Sequence, residues 1–167
     1  MVRAAVRLPF RFPAFRRFPR AMARFFTKAE ADRLIKEVQP AMEDALRLKA
    51  EYQHLEAELQ DTRRRVMLNG GVQLDRSEFL ETKRRSDSCA AGLRAAIDCI
   101  HGFGCIVKDL DSGLVDFPTV FHGREVYLCW KLGEPGVQFW HGVEEGFQGR
   151  KPIDRDFLAN HRGDQAN

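Results

Sequence analysis

Apolar residues between positions 34 and 59 recur at alternating intervals of three and four residues. This heptad spacing predicts a long amphipathic helix, because it places the apolar side chains along one seam. The seam comprises Leu34, Val38, Ala41, Ala45, Leu48, Tyr52, Leu55 and Leu59. Thr27 and Glu30 precede it at the spacing of a capping box, which sets the expected helix at about 28–66. Pro40 leaves the phase unchanged, so it predicts a kink rather than a break.

A second amphipathic segment follows a glycine-containing loop, LNGG at 68–71. Its apolar or small residues repeat with the same spacing: Phe79, Thr82, Ser86, Cys89, Leu93, Ala96 and Ile100. The pattern predicts a helix over about 76–101, which the HGFG stretch ends. Two heptad helices joined by a short loop are expected to form an antiparallel, coiled-coil-like hairpin.

Beyond residue 104 the period changes to two, which is typical of half-buried β-strands. Four strands are expected between about 104 and 142, in the stretches CIVKDL, LVDFPTVF, REVYLCWKL and VQFWHG. The helical hairpin and the sheet each have one apolar surface, and packing one on the other buries both. We therefore predict an α+β fold, with a long antiparallel helical hairpin packed on a small antiparallel sheet of about four strands.

The turns between the strands fix the expected register. A two-residue link, His122-Gly123, suits a tight hairpin and leaves one side of the sheet apolar. This link predicts three cross-strand pairs: Phe117–Leu128, Val115–Trp130 and Thr119–Val126.

The next turn, GEPG, gives a second register. If Leu132 pairs with Val137, His141 lies beside Leu128 on the side that faces the helices. Trp140 then lies on the opposite side from Trp130, together with Asp116, Tyr127 and Cys129. One extra residue in a β-bulge would reverse this arrangement.

The formal net charge of +3 hides an uneven distribution. Residues 1–26 contain seven of the 27 basic residues and no acidic residue, which leaves 20 basic against 24 acidic residues in 27–167. The larger part of the chain is therefore mildly acidic, which argues against nucleic acid as its main partner. No apolar run reaches the roughly 18 residues that a membrane-spanning helix needs.

We expect a single domain over 26–153, an arginine-rich extension at 1–25 and a flexible tail at 154–167. Three interpretations of the extension stay open: a transit peptide, a basic arm for a membrane surface or nucleic acid, and an upstream extension with Met22 as the true start. The four cysteines, Cys89, Cys99, Cys105 and Cys129, show no CxxC spacing. They predict buried free thiols in a reducing cytoplasm.

Two stretches carry a resemblance to a known family: FFTKAEADRLIKEVQPAMEDAL at 25–46 and KDLDSGLVDFPTVFHGREVYLCWKLGEPGVQFWHGVEEGFQGRKPI at 108–153. With the helices between them, the chain resembles the bacterial domain-of-unknown-function family number 2203 over roughly 24–153. The resemblance implies a small bacterial protein with a helical region followed by a sheet-like block. It implies no activity, because none is established for the family.

The HGVE stretch brings a histidine and a carboxylate close together in sequence. Histidine with carboxylates can bind a divalent metal ion or act as an acid–base pair. We therefore take His141, Glu144 and Glu134 as candidate metal ligands, with Asp116 as a further binding residue. The alternative is a partly buried histidine that Glu144 or a backbone carbonyl satisfies.

Two other features have both a functional and a structural interpretation. Trp140 and Tyr127 on an exposed sheet face would form a surface for a partner or ligand, unless EEGFQGRKPI folds back with Phe147 over Trp140. Asp109 and Asp111 in KDLDSG are more typical of a turn that accepts amide hydrogen bonds than of a calcium loop.

No phosphate-binding glycine loop and no GxSxG motif occurs in the chain. The interpretation we favour is a non-catalytic cytoplasmic protein whose helical hairpin assembles or binds a partner. The first helix outlasts the second, which suggests a homo-oligomer through helix 1. The alternative is a metal- or small-ligand-binding protein, extending to a hydrolytic enzyme, with its site around His141 and Glu144. A third interpretation is a membrane-surface or nucleic-acid binder that acts through residues 1–24.

Overall fold

The computed structural model describes residues 24–68 and 75–164 of the chain. In chain order the elements are α1 (Lys28–Leu68), α2 (Arg76–Gly102), β1 (Ile106–Asp109), β2 (Leu114–Phe121), β3 (Arg124–Lys131), β4 (Phe139–Gly142), β5 (Lys151–Pro152), α3 (Arg155–Asn160) and β6 (His161–Arg162). The strands pair in the order β1-β2-β3-β4-β5, and β6 also pairs with β2. The predicted α+β fold is confirmed, with two short strands more than expected. Within the described ranges, no helix has the length and apolar character that crossing a membrane requires.

The capping box at the start of α1 forms as predicted. The Glu30 carboxylate accepts from the amide of Thr27 at 2.8 Å, and the Thr27 hydroxyl accepts from the amide of Glu30 at 3.3 Å. The helix continues through Pro40 without interruption. The expected loop at 68–71 lies, beyond Leu68, outside the described residues.

Over the first half of α1 the buried stripe keeps Val38 and Ala45 of the predicted seam and is displaced by one residue at its other positions. Its fully or largely buried members there are Ala31, Ile35, Val38, Met42, Ala45 and Lys49. Leu34, Ala41 and Leu48 of the predicted seam are half-buried. The stripe is displaced because α1 packs against α2 and the sheet at once.

The unequal lengths of the two helices, 41 and 27 residues, have a structural explanation. Gly92 of α2 packs against Leu48 of α1, so the antiparallel α2 ends near Pro40. The part of α1 before Pro40 packs on the sheet, where Ala31 and Ile35 join the core that contains Val137. The extra length of α1 is therefore covered by its own sheet and does not require a second chain.

The β2–β3 hairpin has the predicted register, and all three expected pairs are present: Phe117–Leu128, Val115–Trp130 and Thr119–Val126. The link residues His122 and Gly123 have φ of 47° and 76°, as a tight primed turn requires. The helices cover this apolar side of the sheet, as predicted.

The predicted β3–β4 register is wrong by one residue. Leu128 pairs with Trp140, and Tyr127 pairs with His141. Trp140 therefore lies on the same side of the sheet as Trp130, and His141 lies on the opposite side from the one expected. A tertiary contact lies just before the shifted strand: Asp32 of α1 accepts from the amide of Val137 at 2.8 Å, and Val137 lies outside β4.

The expected flexible tail contains α3 and β6 in its described part. Phe157 of α3 is fully buried in the core. β6 pairs with the end of β2, through Val120–Arg162 and Phe121–His161. A six-residue helix is too short to give a periodic signal in the sequence, and it is stabilised by its packing and by the Asp154 cap, which accepts from the amide of Phe157 at 2.8 Å.

Candidate functional site

The side of the sheet that faces away from α1 and α2, here called the outer face, carries a buried group of polar side chains. Asp116 of β2, Cys129 of β3 and His141 of β4 are each fully buried. One potential ligand atom from each lies within 4.8 Å of the other two. In residues 24–68 and 75–164 these three side chains form the one such group of potential metal ligands. We call it the outer-face cluster.

His141 contacts an oxygen through each ring nitrogen. Nε2 lies 3.1 Å from Oδ1 of Asp116, and Nδ1 lies 2.8 Å from the carbonyl oxygen of Gly142. Burial alone would lower the pKa of His141, but the hydrogen bonds to Asp116 and Gly142 outweigh it and raise that pKa above its ordinary value. The arrangement is a buried histidine–carboxylate pair.

Cys129 and the second oxygen of Asp116 complete the cluster. Burial, followed by the charge of Asp116, raises the pKa of the Cys129 thiol, so the thiol is protonated at neutral pH. Among the described residues, Oδ2 of Asp116 has no hydrogen-bond partner although it is buried. A buried carboxylate oxygen without a partner is costly, which marks this position for a further ligand.

Glu134 and Arg150 form an ion pair beside the cluster. Nη2 of Arg150 donates to the two carboxylate oxygens of Glu134 at 2.8 and 2.7 Å, and to the carbonyl oxygen of Cys129 at 3.4 Å. The guanidinium stacks over Phe139 at 4.2 Å and Phe147 at 5.0 Å. Residues 143–150 thus fold back over the outer face, but Phe147 lies beside Arg150 and not over Trp140 as expected.

The predicted site residues separate into different surroundings. His141 and Asp116 meet, although the predicted register placed them on opposite sides of the sheet. Glu134 pairs with Arg150, and Glu144 is exposed. The expected metal ligands His141, Glu144 and Glu134 therefore do not form a common site, because Glu134 is held in the β3–β4 turn and Glu144 lies beyond the end of β4.

The two aromatic candidates are also separated. Tyr127 is half-buried on the outer face, with its ring 5.7 Å from the ring of His141. Trp140 lies on the helix-facing side, stacked on Phe157 at 5.1 Å, with the Lys151 ammonium 4.8 Å from its ring. The expected exposed surface of Trp140 and Tyr127 is therefore absent from the described part of the chain.

Cys129 was expected on the candidate partner or ligand face but not among the metal ligands, and Arg150 was not expected at the site. The predicted β2–β3 hairpin already puts Cys129 on the same side as Asp116, so the correct β3–β4 register would have completed the cluster from sequence. Arg150 gave no such signal, since it reaches Glu134 across a turn whose path the sequence does not fix.

The aspartates of the β1–β2 turn have the structural role that was expected. Asp109 accepts from the amide of Asp111 at 3.1 Å and from the hydroxyl of Ser112. These hydrogen bonds lower the pKa of Asp109, and the one from the Ser112 hydroxyl has the largest effect. Asp111 forms an ion pair with Lys49 of α1, which ties the turn to the helical hairpin.

The fold and the cluster together define a two-layer α+β protein that buries a histidine, a cysteine and an aspartate on the sheet face away from its helices. The chain belongs to the family described as "Uncharacterized conserved protein (DUF2203)", whose match spans residues 24–153. No curated protein and no solved structure matches the chain. The family membership inferred from the sequence is confirmed.

Proposed function

We propose that the protein is a non-catalytic assembly module that works through the outer part of its helical hairpin. The core shared by the helices and the sheet extends to Ala45 on α1 and Leu93 on α2. Beyond these residues the helices continue over 49–68 and 76–91, here called the arm. At 1.5 Å per residue the arm is about 30 Å long.

The interior of the arm supports a paired, extended structure. Leu55, Leu59 and Cys89 are buried between the helices but stand outside the main core. Ser86 donates to Glu56 across the two helices at 2.6 Å. Much of the arm's length therefore lies outside the core that holds the sheet to the helices, which suits a segment that reaches a partner.

The free end of the arm carries the observation on which the proposal rests. Met67 and Leu68 are 84% and 73% exposed, and Leu80 is 53% exposed. A groove of about 610 Å³ lies next to them, with Leu59, Val66 and Phe79 among its lining residues. The groove also has charged lining residues, such as Glu58, Asp61 and Arg65, and exposed apolar side chains near such a mixed groove are compatible with an interaction surface.

A second copy of the chain is the partner we propose. Exposed arginines 63–65 lie on α1 at the end of the arm, and exposed acidic residues lie at the same end of α2: Asp75, Glu78 and Glu81. A two-fold axis would place these arginines of each copy against these acidic residues of the other, in exchange for the ion pairs Arg65–Asp61 and Arg84–Glu81 within one copy. Two paired hairpins would also form a four-helix bundle, in which the groove and the apolar end are buried.

Sedimentation velocity over a range of protein concentrations tests this proposal. We expect a reversible dimer, and we expect Met67→Ser with Leu80→Ser to weaken dimerisation by at least about tenfold, since two apolar contacts are lost. Leu158→Ser is the matched control, because Leu158 is 50% exposed on α3 and should not change dimerisation.

The proposal is wrong if the full chain stays monomeric at all concentrations, or if Leu158→Ser dissociates the dimer as strongly as the arm variant. High salt should weaken the dimer, because the paired charges are exposed and screened. Salt-independent association would remove the charge argument for a second copy.

The remaining expectations about function stay predictions. Cys89, Cys99, Cys105 and Cys129 are all free, and Cys99 is exposed and not buried as expected. The reducing cytoplasm stays a prediction. A membrane-surface or nucleic-acid role for residues 1–24 concerns, apart from Arg24, positions outside the described part of the chain. In the alternative of ligand or metal binding, Glu144 and Glu134 are no longer candidate ligands. The outer-face cluster takes their place.

A further inference from the structure

The outer-face cluster brings three different donor atoms together from three neighbouring strands. Asp116 and Cys129 face each other across β2 and β3, and His141 reaches them from β4. Strands hold side chains more rigidly than loops do, so the three donors keep fixed relative positions. On a tetrahedral zinc ion, with bonds of about 2.0–2.3 Å, such donors stand about 3.3–3.6 Å apart.

The observed separations are close to that geometry. Nε2 of His141 lies 3.1 Å from Oδ1 of Asp116, and all three ligand atoms lie within 4.8 Å of one another. Shifts of about 1 Å or less would therefore bring the three donors to bonding distances around one ion.

The second nitrogen of His141 is arranged as in a metal-bound histidine. Nδ1 donates to the backbone carbonyl of Gly142 at 2.8 Å. A ligating histidine almost always donates its other N–H to a carboxylate or a carbonyl, which fixes the ring and leaves Nε2 to the ion. The carbonyl of Gly142 also accepts from the amide of Glu145 at 3.1 Å, which holds it in place.

An independent observation comes from Asp116. Oδ2 is buried and has no hydrogen-bond partner among the described residues, while Oδ1 contacts His141. If Asp116 only pairs with His141, Oδ2 stays without a partner. A metal ion bound by the carboxylate would compensate the charge on this oxygen.

We propose that Asp116, Cys129 and His141 bind one transition-metal ion of the zinc type, through a carboxylate oxygen, Sγ and Nε2. A mixed set of carboxylate, thiolate and imidazole donors favours zinc over magnesium or calcium, which take oxygen ligands. Binding releases the thiol proton of Cys129 and the Nε2 proton of His141 to solvent, so the ion replaces two protons. This proposal is independent of the arm and stands if the chain is a monomer.

Cobalt titration tests the proposal, with Cys99→Ser as the parent chain because Cys99 is exposed and would bind cobalt by itself. We expect one Co²⁺ per chain, with visible bands typical of tetrahedral cobalt and a near-ultraviolet band from thiolate-to-cobalt charge transfer. Zinc should displace the cobalt and abolish the bands.

Two serine variants separate the cluster from the other buried thiols. Cys129→Ser should remove the charge-transfer band and lower cobalt affinity by more than about 100-fold, since even outer-shell partners of a metal contribute about 10–100-fold. Cys105→Ser should keep the parent spectrum, because Cys105 is equally buried but belongs to no ligand group among the described residues.

The proposal is wrong if the parent chain shows no charge-transfer band, or if the band persists in Cys129→Ser. Should Cys129→Ser fail to fold, X-ray absorption on the zinc-loaded parent decides the matter. One sulfur at about 2.3 Å with nitrogen and oxygen at about 2.0–2.2 Å is expected, and a shell without sulfur contradicts the proposal.

Discussion

Two histidine–aspartate pairs in this chain have nearly the same length and opposite surroundings. His141 and Asp116 are 3.1 Å apart and have no exposed side-chain surface. His122 and Asp156 are 3.2 Å apart, and their side chains are 55% and 62% exposed. Because water screens the second pair and not the first, equal distances imply very different contributions to stability.

Removing one member of each pair should reveal this difference. We expect Asp116→Ala, measured by chemical denaturation with a metal chelator present, to lower the free energy of unfolding by about 3–5 kcal/mol. The loss arises because His141 stays buried without its partner. Asp156→Ala is the control and should cost less than about 1 kcal/mol. Equal losses for the two variants would show that the outer face is open to water.

The sheet shows how different features set the register of different hairpins. The β2–β3 register follows from the two-residue turn at His122-Gly123, so it was predictable from the sequence. The β3–β4 register lies next to a contact with Asp32, which is on α1 far away in sequence.

Pro118 lies within β2 between the residues that pair with β1 and those that pair with β6, and its carbonyl accepts from Phe26 at 2.7 Å. Its missing N–H therefore removes no ladder hydrogen bond.

The tight turn gives a prediction at the scale of the hairpin. Gly123 has φ of 76°, and the position that an added Cβ would occupy has no other atom within 4 Å, so Gly123→Ala introduces backbone strain without a clash. We expect a loss of about 1–2 kcal/mol in the free energy of unfolding. Gly102→Ala at the end of α2 is the matched control, since its site is equally open. It should be neutral or stabilise by up to about 1 kcal/mol.

If Gly102→Ala destabilises the protein as much as Gly123→Ala, the left-handed turn is not the cause of the loss. Circular dichroism at low temperature should show that both variants keep the wild-type secondary structure.

At the scale of the whole molecule, the C-terminal segment closes the fold around the start of α1. Phe157 is fully buried in the main core. Nε2 of His161 accepts from the amide of Lys28 at 3.0 Å, while its Nδ1 donates to the carbonyl of Phe157 at 2.9 Å. Asp164 and Phe25 exchange hydrogen bonds at 2.8 and 3.0 Å. Segments from both ends of the described chain therefore stabilise the first turn of the longest helix.

This closure predicts an unusual cost for a residue so near the end of the chain. Phe157→Ala should lower the free energy of unfolding by about 3–5 kcal/mol, because it opens a cavity in the main core. The neighbouring Leu158→Ala, at a half-exposed position, should stay within about 0.5 kcal/mol. Thermal and denaturant unfolding of both variants measure the difference. A loss below about 1 kcal/mol for Phe157→Ala would mean that this segment contributes little to the core.

The sequence by itself determined the features that depend on near neighbours. Heptad spacing gave both helices to within a few residues, Thr27 and Glu30 gave the start of α1, and the period of two gave the four longer strands. The register of the β2–β3 hairpin was also set locally, because its two-residue turn allows one pairing.

Only the tertiary structure decided the features that depend on contacts between distant residues. The register of β4 differs by one position from the predicted one, next to a contact between Asp32 and Val137, and it places Trp140 against the core and His141 on the outer face. The ordering of α3 required the core that receives Phe157. A strand places alternate residues on opposite sides, so a register one residue away from the predicted one is enough to bring Asp116, Cys129 and His141 together.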